Sequence, residues 1–377
     1  MPKIYSSIAC NLDNHLLSAA LPLFAEESVE AIEWSFDTLY KQRNIPDWFI
    51  ELLTAFGQEN RLVGHGVYFS LFSGKWTPEQ EAWLQQLEKV SGHFQFDHIS
   101  EHFGFMTGAN FHAGAPIGIP FTRRTLQLGQ DRLQRIFQAC RCPVGLENLA
   151  FAYSLDEVKA HGQFLDELLE PVNGFIILDL HNLYCQLQNF TIPFEALLEL
   201  YPLHRVREIH ISGGSWEDSA LHPRQKIRRD THDDAVPDEV FQMLSAVVPR
   251  CPHLKFVVLE QLGIGLHTPA SQEAFREDFR KLKRTVQSLS TPPPETVAND
   301  FLPKELCPLG PAPEDLSLHR QQQQLSRILE TAPDLSAARE ELQSSDLAGS
   351  AWKVEEWEPA MLETAMQIAQ KWKNGFA

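Results

Sequence analysis

Cysteine is scarce in this sequence: there are six in 377 residues, none in Cys-x-x-Cys spacing, and the nearest pair is Cys140 and Cys142. That usage excludes a disulfide framework and predicts a reduced, cytoplasmic protein. No stretch approaches the run of about 18 apolar residues that a membrane helix needs. The start, MPKIYSSIACNLD, lacks an apolar segment with a basic flank, so no signal peptide is expected. Positive charge is also short. Against 50 Asp+Glu stand 32 Lys+Arg, a formal net charge of −18, and so acidic a body repels a phosphate backbone. Neither nucleic acid nor a membrane is expected as a partner, whereas an excess of carboxylates suits a protein that holds cations. Missing as well is a Gly-rich phosphate loop after the first β-rich run, where the chain reads ACNLDNHL. That counts against a dinucleotide-binding open sheet.

Short β-rich runs alternate with amphipathic runs of helical length. Strands are predicted near 4–10, 29–34, 61–67, 96–100, 144–147, 175–179, 206–211 and 255–260. Helices are predicted around 14–25, 46–57, 78–91, 122–140, 154–163, 193–200, 237–248 and 270–289. Eight strands each followed by a helix is the repeat of an α/β fold of the (β/α)8 TIM-barrel type. The barrel should occupy residues 1–290. A Pro-rich linker follows at 291–315, then a mainly helical extension at 316–377 with helical spacing at 317–331, 334–345 and 358–373. The segment 291–377 carries 14 acidic and 7 basic residues, and Trp352, Trp357 and Trp372 are available to dock it on the barrel or on a partner.

Such a barrel builds its site at the C-terminal ends of its strands. There the sequence places His65 in GHGV, His102 in SEHF, Glu147 in LEN, Asp179 and Asn182 in LDLHN, His210 in EIHIS and Glu260 in VLEQ. The loop RRDTHDD adds Asp230, His232 and Asp233. One His or Asp at a strand end has ordinary explanations, a satisfied hydrogen bond or a helix cap. Six strand ends doing so together put carboxylates in mutual repulsion unless a cation neutralises them. Nine donors exceed the four to six that one ion takes, which suits two or three ions, and mixed N/O donors favour Fe, Mn or Zn. Asp233 reads as a neighbour acting through the Asp-x-His pair. Arg123 and Arg124, like Arg228 and Arg229, read as exposed arginines, with steering of an acidic peptide as the alternative.

Glu147, Asp179, His210 and Glu260 resemble the ligand set of xylose-isomerase-like sugar isomerases and epimerases. The nine-residue order also resembles the trinuclear-zinc apurinic endonucleases, which have His where this chain has Asn182. The resemblance that reaches furthest is to the multinuclear non-heme iron-dependent oxidative (MNIO) enzymes, the methanobactin-biosynthesis-oxidase-like family. It runs through GHGVYFSL, SEHFGF, PIGIPFT, LENLAF, LDLHNLY, EIHISGG and DTHDD, over roughly 4–288. Two positions depart from that family, Phe105 where a Trp is usual and Gly214 where a His is usual.

This resemblance implies two or three mixed-valent irons held by His65, His102, Glu147, Asp179, Asn182, His210, Asp230, His232 and Glu260. It implies O2 as co-substrate and oxidation at a cysteine of a ribosomally made precursor peptide, often with a partner protein that grips the leader. On it, Asp233 is the catalytic candidate, and Arg123 and Phe105 are the substrate-contact candidates. The competing readings are a divalent-metal isomerase, a zinc phosphodiesterase and a non-catalytic scaffold that binds a partner. Metal identity separates all of them.

Overall fold

The eight β-rich runs pair side by side, all parallel, and close on themselves. The computed structural model describes residues 3–40, 45–108, 114–219, 226–289, 299–305 and 308–373. In chain order the strands are β1 (Tyr5–Ala9), β2 (Ala31–Trp34), β3 (Leu62–Gly66), β4 (Ile99–Glu101), β5 (Phe105–Met106), β6 (Pro116–Ile117), β7 (Val144–Glu147), β8 (Phe175–Asp179), β9 (Val206–Ser212), β10 (Trp216–Asp218), β11 (Lys226–Arg228) and β12 (Phe256–Glu260). The closed barrel runs β1-β12-β9-β8-β7-β4-β3-β2, and β5–β6 and β10–β11 are antiparallel hairpins on its C-terminal rim. The helices are α1 (Asn14–Ala25), α2 (Asp47–Gln58), α3 (Pro78–His93), α4 (Arg123–Cys140), α5 (Leu155–Leu169), α6 (Leu180–Phe190), α7 (Phe194–Leu198), α8 (Asp238–Val247), α9 (Pro269–Leu289), α10 (Leu316–Thr331), α11 (Leu335–Gln343) and α12 (Pro359–Trp372). Among the described residues no helix is long and apolar enough to cross a membrane.

Local sequence explains most boundaries. Asp13 caps α1, Thr77 and Gln80 form a capping box on α3, and Ser154 caps α5, each satisfying amides that a helix start leaves open. One element departs from the expected pattern. The helix after β8 starts at once, as α6, and the predicted 193–200 helix is only the five-residue α7. The first seven residues of α6 are all buried, and with Asp179 of β8 as its cap no turn separates strand from helix.

The far end of the barrel is plugged by aromatic rings. His98 lies 4.4 Å from Phe175 and 5.4 Å from Phe256, centroid to centroid. Beneath Phe175, at 6.0 Å, sits Phe301, fully buried and contributed by the segment between barrel and extension. The Pro cluster at 292–294 lies outside the described residues. From Phe301 the chain passes along α4, where Arg135 and Arg132 donate to the carbonyls of Gly310 and Pro313 (both 2.8 Å) and Arg124 to that of Glu314 (2.6 Å).

The extension then packs on the barrel. Gln322 is bonded to the backbone of Gly74 (2.9 Å) and Phe72 (2.8 Å). Trp357 stacks on Tyr153 at 3.7 Å, Trp352 meets Phe105 edge-on at 5.9 Å, and the Trp372 carbonyl accepts from Gly114 N (2.9 Å). Trp352 and Trp357 therefore meet the barrel side through their rings, and Trp372 through its backbone.

Candidate metal centre

Side chains alternate along a strand, so residues two apart share the barrel interior. On β9 this aligns Glu208 and His210, and on β12 it carries the inward face to Glu260. Glu147, Asp179 and Glu260 end their strands, and His65 and His210 lie within two residues of the ends of theirs, all around one mouth joined by His102 just past β4. Glu147 is the hub. Its Oε2 lies 3.3 Å from His65 Nε2 and 3.4 Å from His102 Nε2, and its Oε1 lies 3.9 Å from His210 Nδ1. Asn182 Nδ2 is 3.3 Å from the same Oε1. Glu260 is a second hub, 3.3 Å from His210 Nδ1 through one oxygen and 3.3 Å from His232 Nδ1 through the other. His232 Nε2 in turn lies 2.8 Å from Asp230 Oδ1.

Of three groups among the described residues that gather donor atoms closely enough to hold one ion each, Glu33, Glu208 and His210 lie behind the mouth and two lie at it: His65, His102 and Glu147, and Glu147, Asp179, His210 and Glu260. The two at the mouth share Glu147, as a bridging carboxylate would require. Beside them the His232 ring lies between Glu260, 3.3 Å from Nδ1, and Asp230, 2.8 Å from Nε2, so the two carboxylates meet opposite nitrogens of one imidazole.

The donor set fits metal for a specific reason. Asp179 Oδ2, Asn182 Oδ1, His65 Nε2, His102 Nδ1, His210 Nδ1 and His232 Nδ1 are buried without a hydrogen-bond partner. Such atoms are costly unless something binds them. Asp179 is fully buried, and burial, then the charges of Asp230 and Glu147, push its pKa well above the carboxylate range. A cation removes that conflict. Burial opposes charge on His65, but the Glu147 carboxylate 3.3 Å from Nε2 and the charge of Glu33 outweigh this and raise its pKa to about 9. Metal uptake is therefore expected to expel protons. Affinity for a divalent ion should climb about tenfold per pH unit for each proton displaced, below pH 9 or so. Calorimetry in buffers of different ionisation enthalpy checks this, and a buffer-independent heat would contradict it.

Behind the mouth lies a layer that strand-end positions alone do not reveal. Ser100 Oγ sits 2.9 Å from His65 Nδ1, leaving Nε2 for the site. His210 Nε2 is held by Glu33 (3.0 Å) and approached by Glu208 (3.5 Å), and Glu208 bonds His98 Nε2 at 2.6 Å. Asn148 bonds the Asp179 amide (2.7 Å). Arg228 Nε donates to His181 Nε2 (3.1 Å), which leaves His181 Nδ1–H to donate to Asp230 Oδ1 (3.0 Å). The period-two relation of Glu208 to His210 was the available signal; His181, inside LDLHN, had none.

The remaining candidates lie elsewhere. Asp233 is exposed, next to His232, and accepts from Thr231 Oγ1 at 2.5 Å. Arg123 is exposed at the start of α4, and Phe105 is buried against Trp352. Arg228 and Arg229 correct the expectation of exposed arginines: both are buried. Arg228 lies between the rings of Tyr184 (5.5 Å) and Trp216 (5.3 Å), and Arg229 is paired with Glu217 and Gln367. Neighbouring Arg224 lies outside the described residues.

The family described as "RiPP precursor modification enzyme MbnB/TglH/ChrH" matches residues 40–277, most of the barrel and every residue of the metal-centre set. The chain belongs to this family. Among curated relatives, a UPF0276 protein of Shewanella loihica is 24% identical over 220 residues, 58% of this chain and 74% of that one. Another from Chromobacterium violaceum is 29% identical over 153 residues, 40% of this chain and 53% of that one. The crystal structure of a xylose isomerase domain protein from Planctomyces limnophilus shares the fold at 14% identity. Its TM-score is 0.50, covering 77% of this chain and 99% of that one.

At Gly214 the backbone passes too close to its neighbours to admit a side chain. A Cβ there would lie 2.2 Å from the Arg229 carbonyl and 2.8 Å from the His181 ring. The matched region stops short of Phe301 and the helical extension, so those parts lie outside the family core.

Proposed function

We propose that this member of the MbnB/TglH/ChrH family is a multinuclear iron-dependent oxidase that uses O2 to modify a cysteine of a ribosomally made precursor peptide. The observation that carries the reading is the pair of donor groups joined through Glu147, with buried ligand atoms left unpartnered around them. In this reading His65, His102 and Glu147 hold one iron, and Asp179, Asn182 and His210 a second that Glu147 and Glu260 also touch. Asp230 and His232, adjacent through Nε2, would contribute to a third. Bound there, the irons supply a Lewis acid for the substrate thiolate and the redox capacity to oxidise its cysteine carbon with O2.

The protein's own part is positional. Ser100, Glu33 and His181 fix the ring orientations of His65 and His210 and the carboxylate of Asp230, so the donors meet metal without reorganising. Asp233, exposed beside His232, is the catalytic candidate on this loop, its carboxylate accepting from Thr231 Oγ1. Arg123 contacts acidic side chains of the peptide, and Phe105 forms wall with Trp352. A separate leader-gripping partner is compatible with this arrangement.

The test is metal analysis of protein purified without oxygen, with a Mössbauer spectrum. Two or three irons per chain with ferrous and ferric components are expected, followed by O2-dependent mass change in a cysteine-containing precursor peptide. Stoichiometric zinc or manganese without iron would overturn the oxidase.

A further inference from the structure

Asp230 and His232 sit on the connection that follows β11, away from the barrel strands that carry His65, Glu147, Asp179, His210 and Glu260. His232 has φ +52°, a backbone setting that a non-glycine residue holds only when its surroundings impose it. The β10–β11 hairpin leads directly into this segment, and one side of it rests on α12 of the extension. Ile227 of β11 is buried in a small apolar cluster with Ala360 and Met361 of α12. Arg229 donates to Gln367 Oε1 on the same helix (2.9 Å) while pairing with Glu217 across the hairpin. Ser219, just past β10, bonds Glu363 Oε2 at 3.1 Å. The hairpin's other contacts run inward. Arg228, held between Tyr184 and Trp216, donates to His181 Nε2, and His181 donates to Asp230. Asp230 then meets His232.

We infer that α12 is a positioning element of the metal centre: by clamping the β10–β11 hairpin through Met361 and Gln367, it sets Arg228, His181 and hence Asp230 and His232. The extension thereby becomes part of the site's construction, although it lies outside the family core. The Glu147 groups are held by barrel strands and by His102 just past β4, so the effect should be confined to the position to which Asp230 and His232 contribute.

This inference rests on the proposed metal reading, and the experiment separates the two. Metal-free full-length protein is titrated with cobalt(II) without oxygen, following d–d absorption and competition with a chelator. His232→Ala identifies which cobalt equivalent belongs to the Asp230 position. Gln367→Leu, a change at an exposed residue of α12, and Met361→Glu, which places a charge in the Ile227 cluster, should each weaken that equivalent about tenfold, the low end for lost support of a ligand. The equivalents bridged by Glu147 should keep their affinity and spectrum. Gln367→Glu, which keeps an acceptor for Arg229, should restore wild-type binding. If Gln367→Leu and Met361→Glu bind every cobalt equivalent as the wild type does, the inference is wrong while the metal reading stands. A wild-type protein that binds no cobalt overturns both.

Discussion

Glu147→Ala is expected to cost the protein two metal positions at once and to lower turnover by about 10³-fold or more. The carboxylate touches His65 and His102 through one oxygen and faces His210 and Asn182 through the other. No neighbouring side chain can stretch across the same gap from β7. Loss of a correctly held metal removes several kcal/mol of charge stabilisation, and about 4 kcal/mol corresponds to that factor. Glu147→Gln makes the sharper comparison. It keeps the shape but not the charge, and its amide would present a donor to Nδ2 of Asn182. Metal content by elemental analysis and single-turnover rate should fall together in both variants. Full iron content in Glu147→Gln would mean that this carboxylate bridges nothing.

Phe301→Ala is expected to act at the opposite end of the barrel and on a different observable. The ring is fully buried against Phe175, with the Arg207 guanidinium 5.5 Å away, and nothing chemical happens there. Truncating a buried Phe to Ala costs about 3–5 kcal/mol through lost burial and the cavity left behind. Denaturant unfolding should show a lower midpoint by that amount, while cobalt or iron stoichiometry stays at the wild-type value. An unchanged midpoint would mean that the segment at 299–305 does not seat in the barrel floor. A changed stoichiometry would mean that floor and mouth are coupled through His98 and Glu208. The contrast with Glu147→Ala divides the barrel into a stability end and a chemistry end.

Much of this was written in local sequence. The strand and helix runs carry their periods openly, because each barrel strand shows one face to the helices outside and each long helix has a wet side. Asp13, Thr77 and Ser154 announce helix starts by the amides they cap. The candidate ligands were legible because a barrel brings its strand ends to a single ring whatever the loops do. A His or carboxylate at such an end can be placed from topology alone. α6 was not legible, since it begins at Leu180 directly from Asp179 of β8, with no turn residues between strand and helix to mark a start.

What the linear sequence determines by itself, then, is which residues a strand end presents: periodicity is a local property, and closure of eight parallel strands turns it into a shared mouth. What the tertiary structure alone decides is how those residues are held and which distant segments hold them. His181 acquires its role only where Arg228 reaches it from 47 positions away. Phe301 becomes a floor only because the chain returns beneath β8. Gln367 bears on Asp230 only through a hairpin pressed between two parts of the chain. Contacts of that kind follow from burial and hydrogen-bond satisfaction across the whole fold. They leave no period in the sequence, since each depends on a partner whose position is set by the rest of the molecule.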